Sequence, residues 1–141
     1  MARKDDFIEH LANVPLFSAC SNKDLAQVAK RAEDINVEAG KVLVSEGSAG
    51  HEFFVIIDGT ARVTRHGQQV ATLGPGRFFG DLALLDRSPR NATVTAETPM
   101  ELVVLGQREF SGLIDEVPGF AAKLLAGLAQ RLRDADAQAV Q

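Results

Sequence analysis

Between Ile35 and Leu105 the chain is punctuated by glycine at short intervals, and the punctuation limits what it can fold into. Val42-Leu-Val44, Phe53-Phe-Val-Ile-Ile57, Ala61-Arg-Val-Thr64, Val70-Ala-Thr-Leu73 and Leu102-Val-Val-Leu105 are rich in β-branched residues. They are set apart by Ala39-Gly40, Glu46-Gly47, Asp58-Gly59, His66-Gly67 and Gly74-Pro-Gly76. Short β-prone runs separated by turn residues read as strands. Many of them at this spacing predict a mainly β domain, an antiparallel jelly-roll β-barrel.

Both flanks are helical in pattern. Phe7, Ile8 and Leu11 fall at helical spacing, and Leu25, Val28 and Ala29 repeat it. The second set follows Ser21-Asn-Lys-Asp24, an N-cap with an acid three residues on. Val14-Pro-Leu-Phe17 separates the two helices and is expected to dock on the core. At the other end Gln107 to Val117 forms one helical piece, stopped by Pro118. Phe120, Leu124, Leu128 and Leu132 then repeat every fourth residue, with Leu125 widening the stripe. The expected organisation is a single domain: N-terminal helices over 1–33, barrel over 34–106 and C-terminal helices over 107–141.

The whole chain has 141 residues, enough to bury a core without staples. Apolar residues make up 45% of it, which argues against disorder, and a net charge of −4 argues against broad binding to nucleic acid or an anionic membrane. Cys20 is the single cysteine, and neither a signal-peptide pattern nor a long apolar stretch is present. These features predict a reducing, cytoplasmic setting with Cys20 as a free thiol. Two organisations are open, a complete small protein acting on a partner in trans and one module of a larger chain; the start at Met1 and the polar tail from Asp134 are expected to favour the first.

One segment interrupts the barrel. In Phe78-Phe-Gly-Asp-Leu-Ala-Leu-Leu-Asp-Arg-Ser-Pro-Arg-Asn-Ala-Thr-Val94, residues Asp81 to Leu85 are helix formers without alternation, so about one helical turn fits there. A helix start presents free N–H groups that attract an anion. Gly80 lets a ligand approach the backbone, and Arg90, behind the stiff ring of Pro89, supplies a guanidinium held in one place. A guanidinium near free N–H groups is a phosphate clamp. Asp81 would repel a phosphate and is better suited to accept hydrogen bonds from hydroxyls, so a phosphate with a neighbouring sugar describes a nucleotide. Taken alone, a loop arginine is more commonly a solvated surface residue.

The order of the residues decides between these readings. Phe79-Gly-Asp-Leu-Ala-Leu-Leu85, three further residues and Pro89-Arg-Asn-Ala-Thr93 resemble the phosphate-binding cassette of cyclic nucleotide-binding domains, the family of the cAMP receptor protein and the protein kinase A regulatory subunit. The resemblance covers nearly the whole chain. It implies that Arg90 pairs with the exocyclic oxygens of the cyclic phosphate, helped by backbone N–H groups around Ala83 and Asn91. Gly80 and Leu82 would shape the ribose-phosphate pocket, and Asp81 would accept the ribose 2′-hydroxyl. Val70, Leu73 and Ala61 would lie near the base. The implied ligand is cAMP, with cGMP open because the Asn91 amide can serve either purine, and no cofactor is expected. In the family the C-terminal helix closes over the base and passes the signal to an output domain; no helix-turn-helix, kinase or channel signature is read in this sequence, so the output is expected to lie outside it. Its apolar stripe would pack on the barrel or ligand, or form the seam of a homodimer.

Two other classes compete. Jelly-roll barrels also house metal-dependent enzymes, which need histidines converging inside the barrel. His10 falls on the first helix, and His51 and His66 beside glycine turns, so none has paired-ligand spacing and no enzyme is expected. The other class is a degenerate fold that serves only as a protein-docking module, which Asp81 makes worth testing. The family has glutamate at this position, and aspartate is one methylene shorter. Losing the direct hydrogen bond costs on the order of 1.5–3 kcal/mol, roughly ten- to hundredfold in affinity. Asp81→Glu should therefore tighten cyclic nucleotide binding in calorimetry; unchanged or weaker affinity would remove the role given to Asp81.

Overall fold

The computed structural model describes residues 2–80, 84–85 and 89–140. Two compact units make up the chain: residues 32–109, and the two chain ends, 1–31 with 110–141.

The central unit holds eight strands: β1 (Glu33–Val37), β2 (Val42–Val44), β3 (Glu52–Asp58), β4 (Ala61–Arg65), β5 (Gln68–Leu73), β6 (Phe78–Phe79), β7 (Thr93–Ala96) and β8 (Met100–Gly106). They form two four-stranded sheets, β1-β8-β3-β6 and β2-β7-β4-β5, and their pairings are antiparallel. This is the jelly-roll arrangement with flanking helices, built as two sheets around one core. Phe54, Ile56, Met100, Leu102 and Val104 come from one sheet and Ala61, Val94 and Ala96 from the other. The two strands at the centre of the first sheet, β3 and β8, are buried along most of their length, which is why their sequences are apolar without alternation.

Three strands depart from a simple apolar run. Strand β1 is the polar segment Glu-Asp-Ile-Asn-Val, held at the sheet edge by a register of five pairs with β8. Strand β6 has two residues, and Phe79 stacks on Phe54 with ring centroids 4.7 Å apart. In β5 the register passes from Val63↔Ala71 to Thr64↔Gln69, so Val70 is the extra residue of a β-bulge. The hairpin tip joining β4 to β5 is His66-Gly67, both left-handed with φ 53° and 80°, as a two-residue hairpin turn requires.

The terminal unit contains α1 (Ala2–Ala12), a 3-10 turn at Pro15–Phe17, α2 (Asn22–Arg31), the end of α3 (Gln107–Glu116) and α4 (Phe120–Val140). Phe120 lies 6.5 Å from Phe17 and 6.2 Å from Phe110 between ring centroids, so one aromatic cluster joins the 3-10 turn to both C-terminal helices. Gly127 permits the close approach of α4 to that turn, since a Cβ there would stand 2.6 Å from the Leu16 carbonyl oxygen. The polar tail expected after Asp134 instead continues α4 to Val140, in keeping with its alternating alanines. No described helix is long and apolar enough to cross a membrane.

The start of α2 carries a charge network. The Ser21 N–H donates to Asp24 Oδ2 at 3.0 Å and the Asp24 N–H donates to Ser21 Oγ at 3.2 Å, a reciprocal capping box. Lys123 of α4 donates to the same Asp24 oxygen at 2.5 Å. The Lys123 hydrogen bond, followed by that from the Ser21 N–H, holds the Asp24 carboxyl below its ordinary value against the opposing effect of burial. Cys20, next to this network, has its thiol pushed up to about 11, chiefly by burial and then by the Asp24 charge.

A depressed carboxylate contributes stability that is present above its unfolded value, near 3.8, and is lost as pH falls through the lower folded value. Asp24→Asn should therefore flatten the acid limb of the stability curve below about pH 4. Lys123 is 38% exposed, so screening limits the loss at neutral pH to about 1 kcal/mol. Denaturant unfolding from pH 2 to 7 checks this, and an acid limb as steep as the parent's would disprove it.

Candidate ligand site

Arg90 reaches its position through backbone pairing between two loops. The Arg90 N–H donates to the Ser48 carbonyl at 2.9 Å, and the Gly47 N–H donates to the Arg90 carbonyl at 2.7 Å. On one side Glu46 N–H donates to Thr93 Oγ1 at 2.9 Å, and on another Arg65 Nε donates to the Asn91 carbonyl at 3.1 Å. The segment that enters β7 is thus fastened to the β2–β3 loop and to the β4–β5 hairpin. Glu46 also receives the His66 N–H at 3.0 Å, which ties that hairpin to the same loop.

The guanidinium is half-buried. Nη2 donates to the Glu52 carbonyl at 2.8 Å, at the start of β3. Nε is shielded from solvent and has no hydrogen-bond partner among the described residues. Burial pushes the Arg90 guanidinium below its ordinary value, and the Glu52 charge partly opposes this. A guanidinium stays charged in proteins, so the result is a cation stripped of part of its water and, among the described residues, hydrogen-bonded through its side chain to a neutral carbonyl. Among the salt bridges of the described residues none involves Arg90. Such a group favours an anion, and a planar fork favours a carboxylate or phosphate. Beside it lies a cavity of about 330 Å³, lined among others by Leu43, Ser45, Ser48, Gly50, His51 and Arg90. That volume is at the lower end of the range of small-molecule sites.

Gly80 and Arg90 are brought together. Gly80 follows β6 with φ +81°, and a Cβ there would stand 2.6 Å from Arg90 Nη1 and 2.7 Å from the Glu52 carbonyl. Both the left-handed backbone and the close approach require glycine. Asn91 adjoins Arg90 with its side chain exposed. Ala61 and Leu73 pair with each other, and Ala61 pairs with Ala96, at the end of β7 away from Arg90. Ala61 is fully buried in the inter-sheet core, Leu73 packs against that core, and Val70 is exposed at its bulge. Asp81, Leu82 and Ala83 lie outside the described residues, as does most of the helical turn expected there.

Gly50, Ser48 and the Glu52 carbonyl escaped sequence reasoning. Each acts through its backbone, or through a missing side chain, and leaves no chemical signature in the residue type. Among the described residues no group of three or more His, Cys, Asp or Glu side chains is arranged to hold a metal ion.

The family model described as the cyclic nucleotide-binding domain matches residues 34–117. The chain is 40% identical over 114 residues to a cAMP-dependent protein kinase regulatory subunit of Eremothecium gossypii, an alignment covering 80% of this chain and 24% of that protein. It is 33% identical over 122 residues to a cyclic nucleotide-gated potassium channel of Mesorhizobium japonicum, covering 84% and 34%. The chain thus spans about a quarter to a third of the length of these relatives. Among solved structures, the N-terminal domain of a transcriptional regulator from Streptomyces coelicolor A3(2) superposes with a TM-score of 0.83 at 30% identity, covering 89% of this chain and 94% of that one. The regulatory domain of Toxoplasma gondii PKA, crystallised with cAMP, gives 0.72 at 31% identity, covering 79% and 44%. The family model and these relatives show that the chain belongs to the cyclic nucleotide-binding domain family.

Proposed function

We propose that this chain is a cyclic nucleotide sensor, with cAMP as its ligand, and that it regulates an output protein or domain outside the chain. The observation that carries the reading is the half-buried Arg90 cation, whose Nε has no partner among the described residues. A cyclic phosphate offers the exocyclic oxygens that such a group lacks. In this reading Arg90 binds those oxygens, with N–H groups near Ala83 and Asn91. Gly80 and Leu82 bound the pocket, and Asp81 accepts the 2′-hydroxyl. Val70, Leu73 and Ala61 flank the base, which for the buried Ala61 requires the hairpin to shift on binding. The relatives named for cAMP and for cyclic nucleotide gating support the ligand class.

Signal output is assigned to the C-terminal helices. On α4, Leu125 and Leu132 are 66% and 67% exposed and stand seven residues apart, two turns along one face. That face suits a contact made in only one of two states, whether with ligand, an output partner or a second copy. The sensor has no catalytic step in this account, and its work is a shift of population between conformations that differ in ligand affinity.

Arg90→Ala keeps every backbone bond of the loop, so the fold should survive, while cAMP binding should weaken by about 2–5 kcal/mol. Calorimetric titration with cAMP and cGMP, alongside melting curves, tests both halves. A parent that gains no thermal stability from either nucleotide at saturation would favour the docking module, since a ligand at a hundredfold its Kd stabilises by about 2.7 kcal/mol. Unaltered binding by the alanine variant would overturn the clamp.

A further inference from the structure

The Arg90 guanidinium is flanked by two residues that have no Cβ. Gly80 lies against Nη1. Gly50, in the β2–β3 loop, lies against the other end: a Cβ there would overlap Nε and Cζ outright and stand 2.5 Å from Nη2. Gly50 is buried and its φ is outside the left-handed region, so its backbone does not call for glycine. Among the described residues, the three nearest atoms that a Cβ there would meet all belong to the Arg90 guanidinium.

We propose that Gly50 is a positioning residue for the anion clamp: its missing side chain forms the niche that holds the Arg90 guanidinium against the Glu52 carbonyl, in the pose from which it meets a cyclic phosphate. The ligand half rests on the sensor reading, while the niche itself does not. The niche aligns the fork before ligand arrives, so less side-chain freedom is lost on binding. Nε is shielded from solvent and has no hydrogen-bond partner among the described residues, which leaves a donor for an incoming acceptor. A larger residue at position 50 would push the guanidinium away from Glu52 and out of register with the Gly80 side.

Gly50→Ala isolates this role, because an alanine tests the space without straining a left-handed backbone. Two cycles of four proteins decide it: the parent, Gly50→Ala, Arg90→Ala and the double variant. In the ligand-free cycle, Gly50→Ala should lower the melting temperature in the parent and cost little once Arg90 is alanine, since the Cβ then enters vacated space. An equal cost in both backgrounds, including failure of both to fold, would overturn the niche. In the affinity cycle, Gly50→Ala should weaken cAMP by roughly tenfold or more in the parent, with no further loss in the Arg90→Ala background. Its effect on adenosine, which has no phosphate, should be small. Additive losses, or equal losses for cAMP and adenosine, would show that Gly50 supports the loop alone and would overturn the positioning role. A parent that binds neither cyclic nucleotide would contradict the sensor reading, and the ligand-free cycle would still decide the niche.

Discussion

The site depends on how one arginine is held. Two backbone hydrogen bonds lock Arg90 to Gly47 and Ser48, and a third contact sets its Nη2 on the Glu52 carbonyl. Each of these partners comes from the connection between β2 and β3, or from the start of β3, while Arg90 itself precedes β7. The placement of Arg90 is therefore a property of the two-sheet arrangement: β7 and β3 lie in different sheets, and the loops at their ends meet at the guanidinium. Among the described residues no carboxylate forms a salt bridge with this partly desolvated cation, an arrangement unfavourable for an isolated domain. The same arrangement makes the site receptive to an anion, because the desolvation has been met in folding and need not be met again on binding.

Most of the fold was legible because it is written in side chains. The β-branched runs at Val42–Val44, Phe53–Ile57, Ala61–Thr64, Val70–Leu73 and Leu102–Leu105 all lie in strands, and the glycine turns fall between them. Polar β1 carries no continuous β-branched run, and its Glu, Asp and Asn side chains are tolerated at a sheet edge, where pairing with β8 outweighs propensity. The bulge at Val70 was hidden as well, since an extra residue in a hairpin changes register without changing composition. The tail after Asp134 looked loose on polarity alone, yet it prolongs an established helix, and propagation is far easier than nucleation.

The site was legible in a different proportion. Arg90 and Gly80 stood out from residue order and are adjacent in space. Gly50 and Glu52 did not, because one contributes an absence and the other a main-chain carbonyl. The predicted base-side residues divide between a buried alanine, a half-buried leucine at the core and an exposed valine, so the hairpin that carries them presents no ready surface for a base in this conformation. That division fits a sensor whose ligand-free and ligand-bound forms differ. In the terminal unit, the Lys123–Asp24 pair links α4 to the cap of α2, and the Phe17, Phe110 and Phe120 rings join the same helices. A change at α4 would thus be felt by the N-terminal helices.

The central claim, that Arg90 is the phosphate clamp of a cyclic nucleotide sensor, is tested most directly by a crystal structure of the chain grown with cAMP. The account predicts density for the nucleotide with its exocyclic phosphate oxygens within hydrogen-bond distance of the Arg90 guanidinium, including Nε. Nucleotide bound elsewhere, or with its phosphate held by other residues while Arg90 remains on the Glu52 carbonyl alone, would contradict it.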